Sequence, residues 1–237
     1  MLKGKKLLIF DLDGTLIDSV GVWNEVDCEI ISRIRRDGKK ELVDIQKSRD
    51  EALSRYRQSD NPYLSYYGWL KEKYNALESA EEIGEIRKAV AKSMIETRVD
   101  YKPFADKAIK ALKDAGFALV IASTTRRINM QTYMDINRNI ISKAPLRDYF
   151  SVIYTHEDAE NIKPAPDIHL RLMCELNVSP DECLVFEDSL VSVQAAKNAG
   201  IEVCAVYDKY SDGDRDEIDS LADYRINDFC ELINLIK

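Results

Sequence analysis

Histidine is nearly missing from this chain of 237 residues, which holds only His156 and His169. Neither belongs to a motif, and no chemistry is assigned to them. Cysteine is sparse and unpaired in pattern: Cys28, Cys174, Cys183, Cys204 and Cys230 are odd in number and far apart, so neither a disulfide framework nor a zinc site is indicated, which favours a reducing compartment. Positive charge is in deficit, with 34 Lys and Arg against 42 Asp and Glu and a net charge of −8, which argues against a surface that binds nucleic acid. Long apolar runs are also missing. The run Leu7-Leu8-Ile9-Phe10, although preceded by Lys3, Lys5 and Lys6, stops at Asp11, too short for a signal-peptide core, and no segment approaches a membrane span. A cytoplasmic soluble protein is expected, with no nucleic-acid or membrane partner. Its length suits one large domain or two unequal ones.

What is present begins where that apolar run ends. Leu7 to Phe10 fits a buried strand of a parallel sheet, and Asp11-Leu12-Asp13-Gly14 follows it at once. In open α/β sheets ligands gather beyond the carboxyl ends of strands, which is where Asp11 falls. Alternation points Asp11 and Asp13 the same way, and Gly14 lets the backbone turn and come close to a ligand. Two acids so close repel, so a cation must neutralise them or one must hold a proton. An Asp-Gly surface turn with capping acids would use the same residues.

From residue 22 to 97 the pattern becomes helical. Val22, Val26, Ile30 and Ile34 recur every four residues, with Asp37-Gly38 as a stop. Leu42 to Tyr56, Tyr63 to Leu77 and Ile83 to Met94 suggest three more helices, with a turn at Asn61-Pro62. After Pro103 a helix over Phe104 to Ala115 closes at Gly116. Strand-like runs at 118–122, 151–154, 183–186 and 202–206 then alternate with helical segments at 126–142, 167–176 and 191–199. Such alternation predicts an α/β fold, a Rossmann-like parallel sheet with helices on both faces, plus a small all-helical insert. Residues 211–219, rich in Asp, read as an exposed loop.

Read whole, Asp11-Leu-Asp-Gly-Thr-Leu-Ile-Asp-Ser19 resembles the first signature of the haloacid dehalogenase (HAD) superfamily. Ile121-Ala-Ser-Thr124, Lys163-Pro-Ala-Pro-Asp167 and Phe186-Glu-Asp-Ser189 follow in the family's order. The resemblance implies a catalytic core of residues 1–19 and 99–237, with a helical cap of residues 20–98 inserted after the first motif, as in phosphoglycolate phosphatases and β-phosphoglucomutases. It implies Asp11 as nucleophile, Asp13 as proton shuttle, and Mg2+ on Asp11, the Asp13 carbonyl and Asp188, with Glu187 a ligand or an orienter through water. Ser123 and Thr124 would bind the substrate phosphate, and Lys163 would offset its charge and that of Asp11. These residue types suit the chemistry: a carboxylate attacks phosphorus, magnesium takes oxygen ligands, and an ammonium balances anions. Singly, Ser123, Thr124 and Thr125 also suit a helix N-cap, and Glu187 and Asp188 a helix N-terminus.

The reading that follows is a magnesium-dependent phosphatase of a small phosphorylated metabolite, working through an aspartyl-phosphate. A sugar phosphomutase is the alternative, weakened because the family's cap-hinge histidine falls at Trp23 and the insert has no histidine. A noncatalytic phosphate-ligand binder is a third reading. Haloacid dehalogenation needs neither the second acid nor magnesium. Arg33, Arg35, Arg36, Tyr66, Tyr67 and Trp69 in the insert, and Arg126 and Arg127 beside Ser123, are candidates to meet a substrate, against the simpler roles of solvated or packed residues.

Overall fold

The computed structural model describes residues 1–35, 45–56 and 58–236. The expected helix stop at Asp37-Gly38, Leu42 and Arg36 lie outside the described residues. The chain divides into two units, Gly21–Arg98 and Met1–Val20 with Val99–Lys237. Among the described residues no helix is long and apolar enough to cross a membrane.

The helical unit carries α1 (Val20–Ile34), α2 (Ile45–Arg55), α3 (Pro62–Tyr74) and α4 (Ala80–Thr97). The four-residue repeat on α1 buries Val22, Val26, Ile30 and Ile34. Asn61 caps α3 by accepting from Leu64 N at 3.1 Å, with Pro62 in the first turn. That helix ends at Tyr74, short of the expected Leu77, because Asn75 takes the left-handed conformation that closes a helix; Leu77 is exposed. A reciprocal capping box, Ser79 with Glu82, starts α4. Ile30, Ile34, Tyr66, Leu70, Ile83 and Val90 form the unit's core.

The sheet unit adds α5 (Ala105–Asp114), α6 (Arg127–Asp135), α7 (Arg138–Lys143), α8 (Leu146–Tyr149), α9 (Asp167–Leu176), α10 (Leu190–Asn198), α11 (Arg215–Leu221) and α12 (Phe229–Ile236). Its strands are β1 (Leu7–Phe10), β2 (Ala118–Ala122), β3 (Val152–Tyr154), β4 (Cys183–Glu187), β5 (Glu202–Val206) and β6 (Tyr224–Ile226). They form one parallel sheet in the order β3-β2-β1-β4-β5-β6. All four residues of β1 are buried, as an apolar strand covered on both faces requires. Leu7 and Ile9 pack with Leu172 of α9 and Val193 and Ala196 of α10, while Phe10 stacks on Phe186 at 4.5 Å and meets Phe150 edge-on. Strand order reverses at β1, so the crevice beyond its carboxyl end is the sheet's topological switch point.

Three stretches differ from the sequence pattern. The helix expected over 126–142 breaks after Asp135, where buried Asn137 caps α7 by accepting from Ile140 N at 2.9 Å and donates to Val99 O at 3.0 Å. Residues 211–219, expected as a loop, run into α11, which buries Ile218. Finally, β6 and α12 complete an edge that no long apolar run announces; Ile226, Phe229 and Leu232 are their buried residues.

Candidate active site

The backbone of Asp11 still belongs to the sheet, its N–H donating to Phe186 O at 3.0 Å, and from there the chain turns sharply. Gly14 makes the turn at φ +85°, and a Cβ there would run into the Asp188 carboxylate. Only glycine meets both demands at once. The segments on either side of the helical insertion pair by backbone bonds: Asp18 N to Asp100 O at 2.9 Å and Lys102 N to Leu16 O at 2.9 Å.

Asp11 from β1 and Glu187 and Asp188 from the end of β4 converge, all buried, with one carboxylate oxygen of each within 4.8 Å of the others. Lys163 lies among them, fully buried, donating to Asp11 Oδ1 at 2.8 Å and to Glu187. Thr15 donates to Asp188 Oδ1 at 2.6 Å, and Asp188 N to Glu187 Oε2 at 3.2 Å. One ammonium thus bridges two of the three acids, Asp11 and Glu187, while Asp188 is bound by the Thr15 hydroxyl. Burial raises the pKa of Asp11, with Lys163 pulling the other way, and raises that of Glu187 well above the usual carboxylate range. Asp188 is pushed up to about 7, first by burial and then by the charge of Asp11. For Lys163, burial alone would lower the pKa, but Asp11 and Glu187 reverse the sign and keep it charged. Oxygen ligands in this number, short of cationic partners, can hold a metal ion.

Asp13 faces a set of hydroxyls. Ser19 donates to its Oδ1 at 2.5 Å, Tyr133 to the same oxygen at 3.3 Å, and Thr125 to Oδ2. Ser123, buried at the end of β2, accepts from Thr125 N at 3.1 Å through Oγ, which leaves its own O–H to donate elsewhere. Thr124 between them is exposed. None of these hydroxyls caps the following helix: Arg126 holds the cap position, and Glu157 accepts from Arg127 N at 2.9 Å instead. Arg126 and Arg127 are exposed, and Arg127 pairs with Asp158 at 3.0 Å. Lys163 sits in a turn closed by Ala165 N to Ile162 O at 3.1 Å, not on the extended segment that its prolines suggest.

A sheet of this order with Asp11 at its switch point and a buried acid group across β1 and β4 can be compared with known proteins. Residues 8–206 match the family model described as haloacid dehalogenase-like hydrolase. The chain belongs to that family. It is 30% identical over 227 residues to Protein CbbY of Rhodobacter capsulatus, covering 94% of this chain and 93% of that one. It is 27% identical to the phosphorylated carbohydrates phosphatase of Thermotoga maritima, covering 87% of each. The crystal structure of CbbY from Rhodobacter sphaeroides in complex with phosphate shares the fold at a TM-score of 0.71 and 24% identity, covering 96% of both chains.

Of the residues singled out from the sequence of this HAD hydrolase, Asp11, Lys163, Glu187 and Asp188 meet in one buried group, with Asp13 and Ser123 on the adjoining turns. Thr15, Ser19 and Tyr133, which donate to the acids, are not among the residues to which the motifs give a role, and Thr125 carries only a capping signal in the sequence. Thr15 and Ser19 stand inside the first motif, where hydroxyls beside acids are a readable signal; Tyr133 carried none. His169 is wholly buried on α9, with neither ring nitrogen hydrogen-bonded and a pKa lowered to about 3 by burial and then by Lys163.

Proposed function

We propose that this HAD hydrolase is a magnesium-dependent phosphatase that cleaves a small phosphorylated metabolite through an aspartyl-phosphate on Asp11. An oxygen of Asp11 attacks phosphorus while the bond to the leaving oxygen breaks, and Asp13 gives that oxygen its proton. Asp13 then takes a proton from water, the water attacks phosphorus, and the bond to Asp11 breaks to release inorganic phosphate. Lys163 offsets charge on Asp11 and on the phosphoryl oxygens, and the Ser123 hydroxyl, oriented by Thr125 N, donates to one of them. The neighbouring Thr124 supplies a further phosphate contact. Asp11, Asp188, the Asp13 carbonyl and Glu187, the last directly or through water, would hold magnesium, which would supply positive charge as a Lewis acid.

The observation that carries this reading is the buried group of three acids at the switch point, two of them bridged by Lys163, next to the hydroxyl-bound Asp13. In the same reading residues 1–19 and 99–237 do the chemistry, residues 20–98 choose the substrate, and the protein works in the cytoplasm. The phosphatase named among its relatives makes phosphorylated carbohydrates the first class to try.

Purified protein is expected to release phosphate from at least one member of a panel of sugar phosphates and aryl phosphates, only with magnesium, and Asp11→Asn should abolish release. With a hexose 1-phosphate, free phosphate should accumulate; dominant formation of the 6-phosphate would make the enzyme a mutase instead. Binding of magnesium and phosphate with no turnover across the panel would make it a noncatalytic binder.

A further inference from the structure

Tyr133 is one of the largest wholly buried side chains, yet its hydroxyl ends on a carboxylate at the mouth of the sheet. A buried phenol needs a hydrogen-bond partner, and here the acceptor is Asp13 Oδ1 at 3.3 Å. The three hydroxyls on Asp13 reach it from different supports. Ser19 stands on the segment that leads out of the sheet unit into α1, and Thr125 on the loop after β2. Tyr133 comes from the last turn of α6, and its ring is fixed by packing, with two side-chain torsions that burial leaves little freedom. A short hydroxyl on a loop follows that loop; a phenol rooted in the core does not.

Taking the phosphatase reading as its basis, we propose that Tyr133 is a positioning residue: its hydroxyl, with that of Ser19, anchors Oδ1 of Asp13 so that the carboxyl stays aimed at the leaving oxygen. Proton transfer needs the acid within hydrogen-bond reach of its target, and small losses of aim are costly. Tyrosine at this position then has a purpose that phenylalanine, equally apolar in the ring, would not serve.

The test is Tyr133→Phe in the full chain, which keeps the ring and removes the anchor. General-acid help matters most for a poor leaving group, so kcat/KM should fall about tenfold for an alkyl phosphate and much less for an activated aryl phosphate. KM should stay near wild type, and the thermal midpoint should show the fold intact. An equal loss on both substrates, or no loss on either, overturns the proposal. If the wild type turns over neither substrate, the phosphatase reading fails separately, and the anchor is still decided by crystal structures. Asp13 should hold one rotamer in the wild type and spread over more than one in Tyr133→Phe; one unchanged rotamer in the variant overturns it.

Discussion

Each unit of this molecule buries a cluster of charge, and the two are balanced differently. In the helical unit Asp27 is almost fully buried, and each of its oxygens has its own guanidinium: Arg49 at 2.7 Å on Oδ2 and Arg87 at 2.9 Å on Oδ1. Arg87 also lies over the rings of Trp23 and Tyr63. In the sheet unit Lys163 bridges Asp11 and Glu187, Asp188 beside them accepts from the neutral Thr15 hydroxyl, and burial drives the pKa values of all three acids upward. A saturated buried carboxylate joins helices together. A set of acids short of cations works against the fold's stability and is kept for what it binds.

The comparison breaks or sharpens with four substitutions. In the proposed mechanism Asp188 holds magnesium, so Asp188→Asn should cut phosphate release by roughly 10³-fold or more, as a phosphate-release assay would read. The same variant should leave the thermal midpoint of the metal-free protein unchanged or higher. The sign follows from its raised pKa: an acid at about 7 in the fold against 3.8 unfolded keeps its proton longer when folded, so stability falls as pH rises from 3.8 to about 7, and a neutral amide removes that penalty. A clear drop in midpoint would erase the contrast between the clusters.

Asp27→Ala should do the reverse in stability, costing about 3 kcal/mol in chemical denaturation because two largely buried guanidinium groups lose their shared acid. A loss near zero would reduce that cluster to an ordinary surface network.

His169 tests burial without any partner. Its folded pKa of about 3 lies below the ordinary 6.5, so the unfolded chain binds the proton first and stability is lost as pH falls from 6.5 toward 3. Relative to His169→Phe, the wild type should lose up to about 1.4 kcal/mol per pH unit across that window. Parallel pH profiles for the two proteins would contradict it.

The smallest effect is expected at Phe104, which belongs to neither cluster. It precedes α5 at φ +64°, a left-handed conformation costly for a bulky residue, and its side chain is half-exposed. Phe104→Gly should raise stability by about 1 kcal/mol, measured as a shifted denaturation midpoint. This sets the scale of a local backbone effect against which the cluster variants are judged.

Much of the sheet unit was readable in the chain because its signals are local. Buried strands are short apolar runs, and Asp11, Glu187 and Asp188 stand at or just past their ends. The tail was less legible: β6 has three residues, one of them the exposed Arg225, and takes its place from pairing with β5 more than from any pattern of its own. The single helix expected over 126–142 failed at Asn137, whose side chain finds a cap and a distant carbonyl that periodicity does not register.

By itself the sequence determined the α/β class, the order of motifs and the acids and lysine at the sheet's mouth, since each depends on neighbours within a few residues. Only the tertiary structure decided how those acids are balanced. That Lys163 reaches both Asp11 and Glu187, that Asp27 is saturated by two arginines, and that Tyr133 ends on Asp13 all depend on side chains from 22 to 152 residues apart. Hydrogen bonds and charge pairs act over a few ångströms, so separation along the chain says little about them until the fold brings their ends together.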